Sequence, residues 1–208
     1  MLNPIDNSNS AENTHKMENL AIFASGAGSN ALKIIEYFKN HPWIRVKLIA
    51  SNKPGAGVID IAQKAGIEVF IIEKERFFRG DAYTGFLKEK GITCLVLAGF
   101  LWKVPVELIR QFPGRIINIH PALLPKYGGK GMYGNFVHEA VLAAGEKESG
   151  ITIHLVDELY DHGDHLFQAR VEVSEKDSPS SLAAKIHQLE HQHYPGQIEK
   201  LLQMSTAG

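Results

Sequence analysis

The sequence predicts an α/β protein: a doubly wound, mostly parallel, Rossmann-like sheet ending in a C-terminal antiparallel hairpin and a long final helix. Three observations predict it. Short apolar runs alternate with segments of helical spacing from Leu20 to His120, and strands separated by helices pair in parallel through right-handed crossovers. After a Pro- and Gly-rich loop, two strand-like runs, 150–156 and 165–173, follow each other with a link short enough for a hairpin. Beyond them Ser178-Pro179 opens a helical stretch, Leu182 to Leu202, with an interruption expected at Pro195-Gly196.

Taken in order, Leu20–Ala24 is a short buried strand followed by Ser25-Gly-Ala-Gly28-Ser29-Asn30. From Ala31 to Lys39 the spacing is helical, with Ile34, Ile35 and Phe38 on one stripe. A strand, a glycine-rich turn and a helix present unpaired backbone N–H groups at a helix N-terminus, where phosphate binds. The dinucleotide fingerprint is absent, because Ala31 stands where its third glycine belongs. A plain βα turn is the bland alternative. Residues 43–51 give a second strand, Val58–Ala65 a helix with Gly66 as its stop, and 67–72 a third strand. Residues 81–90 are helical up to Gly91, and Cys94–Ala98 is the fourth strand. The apolar loop Gly99–Pro105 follows it, then a helix over 106–112. Such a loop either packs inward or walls a slot for a flat ligand. A helix is expected over 135–144, ending before Gly145.

The fifth strand runs from Arg115 into Asn118-Ile119-His120, and period-2 alternation puts Asn118 and His120 on one face at its C-terminal end. Pro121 and Pro125 stop the strand, and Gly128-Gly129 let the chain turn. Ligands in open α/β sheets sit outside the carboxyl ends of strands, so the two side chains form a candidate site. A satisfied surface histidine and a turn-capping asparagine are the competing reading. Residues Asp157–Asp164 gather four carboxylates with His162 and His165 nearby, and His187 and His191 lie one turn apart on the final helix. A solvated acidic turn, a metal site, or a carboxylate set against His120 would each fit. No compact ligand set with fixed spacing emerges, so no metal is expected.

At 208 residues, 44% apolar and 22% charged, the chain is long enough for one globular domain with a sizeable core. A formal net charge of −1 argues against a dedicated nucleic-acid binder. No apolar segment approaches membrane-spanning length, and no membrane association is expected. The lone Cys94, in an apolar run, reads as a buried hydrophobe. The first eighteen residues are polar and lack a signal peptide's apolar stretch, so 1–18 is expected to be a disordered extension and 19–208 one domain, in the cytoplasm.

Asn118-Ile-His120-Pro121-Ala-Leu-Leu-Pro125 resembles the signature of the folate-dependent formyltransferases. Ile151-Thr-Ile-His154-Leu-Val156 with Tyr160-Asp161-His-Gly163, and Gln168 beyond, is similar to that family's second block. The Ser25–Asn30 turn and the length point to the branch whose acceptor is glycinamide ribonucleotide. The resemblance covers about residues 19 to 203. It implies catalytic Asn118, His120 and Asp161, with Asp157 the near competitor for the last role. It implies a phosphate and ribonucleotide site at Gly28, Ser29, Asn30, His187 and Glu190, and a folate site at Leu101, Trp102, Lys103, Val104 and Ile116. The implied substrates are 10-formyltetrahydrofolate and glycinamide ribonucleotide, with no metal, in a monomer or homodimer. Leu101-Trp102 replaces the family's frequent Met-Arg, Ala122 its serine, and His187 its phosphate lysine, while the loop 128–134 is longer than in many relatives.

Overall fold

The computed structural model describes residues 16–204. Its strands form one seven-stranded sheet, and their chain order is β1 (Glu18–Ala24), β2 (Ile44–Ser51), β3 (Glu68–Ile71), β4 (Cys94–Leu97), β5 (Ile116–His120), β6 (Glu148–Leu155) and β7 (His165–Glu172). In space the order is β3-β2-β1-β4-β5-β6-β7. The pairs through β5 are parallel, while β6 runs antiparallel to β5 and β7 antiparallel to β6. This is the doubly wound, mostly parallel sheet with a C-terminal hairpin that the pattern implied.

Period-2 alternation divides the core in two. Leu20, Ile22, Val96, Ile117 and Ile119 face a cluster shared with helices α1 (Ser29–Phe38), α2 (Gly57–Lys64), α6 (Asn135–Ala143) and α7 (Pro179–Met204). Ala21, Phe23, Leu95, Leu97 and Ile116 face the other, under α3 (Lys74–Phe77), α4 (Thr84–Glu89) and α5 (Val106–Gln111). The strand order reverses between β1 and β4, so a crevice opens beyond their carboxyl ends. There the Ser25 N–H donates to Gly99 O at 3.1 Å and the Leu101 N–H to Ser25 Oγ at 3.0 Å, joining the two loops that flank it.

Three expectations change. Residues 1–15 of the expected extension lie outside the described residues, but Glu18 already belongs to β1, because its buried carboxylate pairs with Arg115 at 3.1 Å. The short helix α3 is an addition to the expected elements; it is four residues long, too short to show a periodic stripe. The final helix is continuous through Pro195 instead of breaking there. Proline removes one intrahelical donor, but the neighbouring Tyr194 is fully buried and its hydroxyl reaches Leu97 O at 2.9 Å and Ile117 O at 3.0 Å. Docking of that turn onto β4 and β5 outweighs the missing hydrogen bond. Cys94 is buried as expected, and burial pushes its thiol up to about 12, out of the range of a nucleophile at neutral pH.

Candidate active site

A cavity of about 610 Å³ lies at the crevice and is lined from Gly26–Asn30, Asn118–Pro121, Gly129–Asn135, Tyr160–Asp161 and α7. Asn118 and His120 lie two residues apart on β5 and reach its wall from the same strand face. The loop after them is clamped by Thr152 on β6. Its hydroxyl donates to Ala122 O at 2.7 Å and accepts the Leu124 N–H at 3.0 Å, while Gln168 Nε2 donates to Leu124 O at 3.0 Å. This fixes the path of the backbone that carries His120.

Asp161 comes from the β6–β7 link, in a left-handed conformation with φ 52°. The link is held tight at Gly163, where an added Cβ would run into the Leu155 carbonyl. Asp161 Oδ2 lies 3.5 Å from His120 Nδ1 and accepts the Gly129 N–H at 2.9 Å. The other His120 nitrogen, Nε2, donates to the Tyr127 carbonyl at 2.7 Å. Burial holds the His120 imidazole below its ordinary value, opposed by the Asp161 charge and by the Tyr127 carbonyl. For Asp161, burial pushes the carboxyl up, but the neighbouring His120 and the Gly129 N–H help hold it below the usual carboxylate range. The resting pair is therefore a neutral imidazole, with Nδ1 free to take a proton, beside a carboxylate.

Sequence motifs alone assign His154 no role, and the structure gives it one. It sits directly across the antiparallel ladder from Asn118. Its Nδ1–H donates to Leu155 O at 2.7 Å, leaving Nε2 to accept from Asn118 Nδ2 at 3.0 Å, with Asp161 Oδ1 3.7 Å away. The antiparallel register is the signal that would have found it. Asp157, the competitor for Asp161, turns instead to the exposed His162, whose Nδ1 lies 2.9 Å from its Oδ2.

The α1 N-terminus opens on the same cavity. Gly28 is its N-cap, with φ 82° and no side-chain cap, and Gly28, Ser29 and Asn30 line the wall. The Asn30 side chain is partly committed: its Nδ2 donates to Glu190 Oε2 at 2.9 Å, and His187 Nδ1 meets the same oxygen at 2.8 Å. One Nδ2–H is thereby taken by Glu190, and the backbone N–H with the second Nδ2–H is left for an anion. A Cβ at Gly28 would come within 2.8 Å of Val58 Cα and Cβ. Gly28→Ala is therefore expected to destabilise the fold by about 2–4 kcal/mol, adding left-handed strain to overpacking. A lower denaturant midpoint at unchanged slope would show it.

The residues expected at the folate site divide. Leu101, Trp102, Lys103 and Val104 line a smaller cavity of about 80 Å³ that shares Asn118, Tyr160 and Asp161 with the larger one. Trp102 leans on Phe77, Phe78 and Phe100, and Lys103 Nζ lies 5.5 Å from the Tyr160 ring centre. Ile116 does not belong with them. It is 1% exposed in the core beneath α5, at the start of β5, about two strand residues (~6.6 Å) below the mouth that Asn118 reaches. Among the described residues no group of three or more His, Cys, Asp or Glu side chains is arranged to hold a metal ion, and no helix is long and apolar enough to cross a membrane.

The chain is similar to known formyltransferases in sequence and in fold. A model of the formyl transferase family matches residues 18–198. A chloroplastic phosphoribosylglycinamide formyltransferase of Arabidopsis thaliana is 42% identical over 185 residues, covering 86% of this chain; the chain spans 63% of that relative's length. The phosphoribosylglycinamide formyltransferase of Bacillus subtilis is 34% identical over 197 residues, covering 92% of this chain and 98% of its own. A crystal structure of the Bacillus halodurans phosphoribosylglycinamide formyltransferase superposes with a TM-score of 0.81 at 38% identity, over 89% of this chain and 95% of that one.

Proposed function

The chain belongs to the formyl transferase family, and on that premise we propose that it moves a formyl group from 10-formyltetrahydrofolate to the primary amine of glycinamide ribonucleotide, in purine biosynthesis. The observation that carries this reading is convergence: Asn118, His120 and Asp161 meet on one wall of a cavity that also exposes the uncapped α1 N-terminus. A carbonyl-transfer site and an anion cradle in one cavity suit an amine acceptor that bears a phosphate.

Attack of the amine nitrogen on the formyl carbon forms the new C–N bond and puts negative charge on the formyl oxygen. Asn118 stabilises that charge through the Nδ2–H not given to His154. The attacking amine sheds a proton, and His120 Nδ1 takes it up directly or through a water held by Asp161. The imidazolium so formed keeps Nε2 on the Tyr127 carbonyl and offers Nδ1–H as a second donor to the oxyanion. Collapse breaks the bond to N10, which receives the proton, giving the formamide and tetrahydrofolate. No covalent enzyme intermediate is needed. All these side chains come from one domain, expected over 19–208, so a single chain suffices. A cytoplasmic site is part of the proposal; the Arabidopsis relative is chloroplastic by name.

Mixing the protein with 10-formyltetrahydrofolate tests it, with and without the ribonucleotide. Deformylation only when the amine is present is the expected result. Deformylation by water alone would make the protein a hydrolase, and none at all a binding protein.

His187 adds a pH dependence. Its hydrogen bond to Glu190 raises the imidazole above 6.5, with burial opposing, so it is a cation below that raised value and neutral above it. A phosphomonoester becomes a dianion above about pH 6. The kcat/KM for the ribonucleotide is therefore expected to fall as pH rises through the His187 value. His187→Lys, which keeps its charge, should lose that limb; an identical profile in the two proteins would remove His187 from phosphate binding.

A further inference from the structure

The cavity holds an imbalance of charge. Among the described residues lining it, Lys130 is the sole lysine or arginine, whereas Asp161 and Glu190 are both carboxylates. Once His187 is neutral, a phosphate dianion entering there meets only negative side-chain charge unless a further cation is brought to it. Lys130 is free to be that cation. It is exposed, and it has no hydrogen bond or ion pair among the described residues.

Its setting is specific. Gly129 and Gly131, the residues on either side, have φ 95° and 91°, which L side chains rarely adopt, so the strap turns sharply on both sides of Lys130. One end of the strap is tied to the candidate catalytic carboxylate, because the Gly129 N–H donates to Asp161 Oδ2 at 2.9 Å. The other end runs into α6, whose N-cap Gly134 carries no side-chain cap and lines the same cavity. Beside that terminus His138 is 3% exposed, lines the cavity, and has no hydrogen-bond partner among the described residues for its buried Nδ1. With the imidazole proton on Nδ1, that nitrogen and the uncapped helix N-terminus would both donate to an anion in the cavity. Two helix N-termini, α1 and α6, thus serve one cavity, with Lys130 on the strap leading to the second.

We infer that Lys130 binds the phosphate of the acceptor, the strap and the α6 terminus forming a second wall of the anion subsite begun by Gly28–Asn30. This rests on the transferase reading above.

The test is Lys130→Ala, with Lys130→Arg beside it. The alanine variant is expected to bind glycinamide ribonucleotide about 10–100-fold more weakly by calorimetry, and its KM to rise alike, the usual loss for a hydrogen bond to a charged group. Its kcat at saturation and its KM for 10-formyltetrahydrofolate should not change. The riboside lacking the phosphate should bind both proteins equally, and arginine should restore the ribonucleotide. Equal losses toward riboside and ribonucleotide, or no loss toward either, overturn the assignment. Calorimetry separates the two readings: wild-type protein that binds the ribonucleotide in a Lys130-dependent way but transfers nothing sinks the transferase and upholds the subsite.

Discussion

Asp161→Asn is expected to lower kcat by about 10²–10⁴-fold while leaving both KM values nearly unchanged, the span associated with one positioned acid–base group. The substitution is nearly isosteric, and asparagine tolerates the left-handed backbone (φ 52°) found there. Its side-chain oxygen can still accept the Gly129 N–H that ties down the glycine strap. What disappears is the negative charge 3.5 Å from His120 Nδ1. Burial already holds that imidazole below its ordinary value, and the Asp161 charge is the strongest influence opposing it. Without the charge, the imidazolium formed during transfer loses its stabilisation and the relay water loses its strongest acceptor. A second sign follows. The resting ring must be neutral to accept the proton, so wild-type activity falls as pH drops through the His120 value, below 6.5. In the variant that acid limb moves to still lower pH. Turnover near the wild-type rate would remove Asp161 from the chemistry.

Much of this arrangement was legible because it follows from short-range rules. Asn118 and His120 share a face since strands have period 2, and they sit at a strand's carboxyl end because Pro121 stops it. The glycine turn proposed to hold the phosphate was readable as a turn because strand, glycine and helix follow one another without interruption from Ala24 to Ala31. The pairing of His154 with Asn118 was not, since it depends on which residues two antiparallel strands bring opposite each other. The commitment of Asn30 to Glu190 joins residues 160 positions apart, and no local pattern carries it. Ile116 lies apart from both cavities for a simpler reason: nearness in sequence to Asn118 is not nearness to the cavity when the strand points into it. Pro195 broke a local rule that a fully buried neighbour overrode.

That cross-strand pair underlies the second large effect. Asn118→Ala is expected to cost about 10²–10³-fold in kcat, the usual toll for deleting one oxyanion donor, with little change in the binding of either substrate. The amide is oriented by its neighbour: His154 gives its Nδ1 proton to Leu155 O at 2.7 Å, so Nε2 can only accept while the ring is neutral, and Asn118 must present its NH₂ there at 3.0 Å. One Nδ2–H is thereby fixed, and the second is left for charge that develops in the cavity. Asn118→Asp should do worse than alanine, since it replaces a donor by a carboxylate near Asp161 and opposes the oxyanion directly. The order wild type, alanine, aspartate in kcat, at roughly constant KM, separates an electrostatic role from simple packing. Aspartate matching wild type would mean that the formyl oxygen lies elsewhere, and the oxyanion site would have to be sought away from β5.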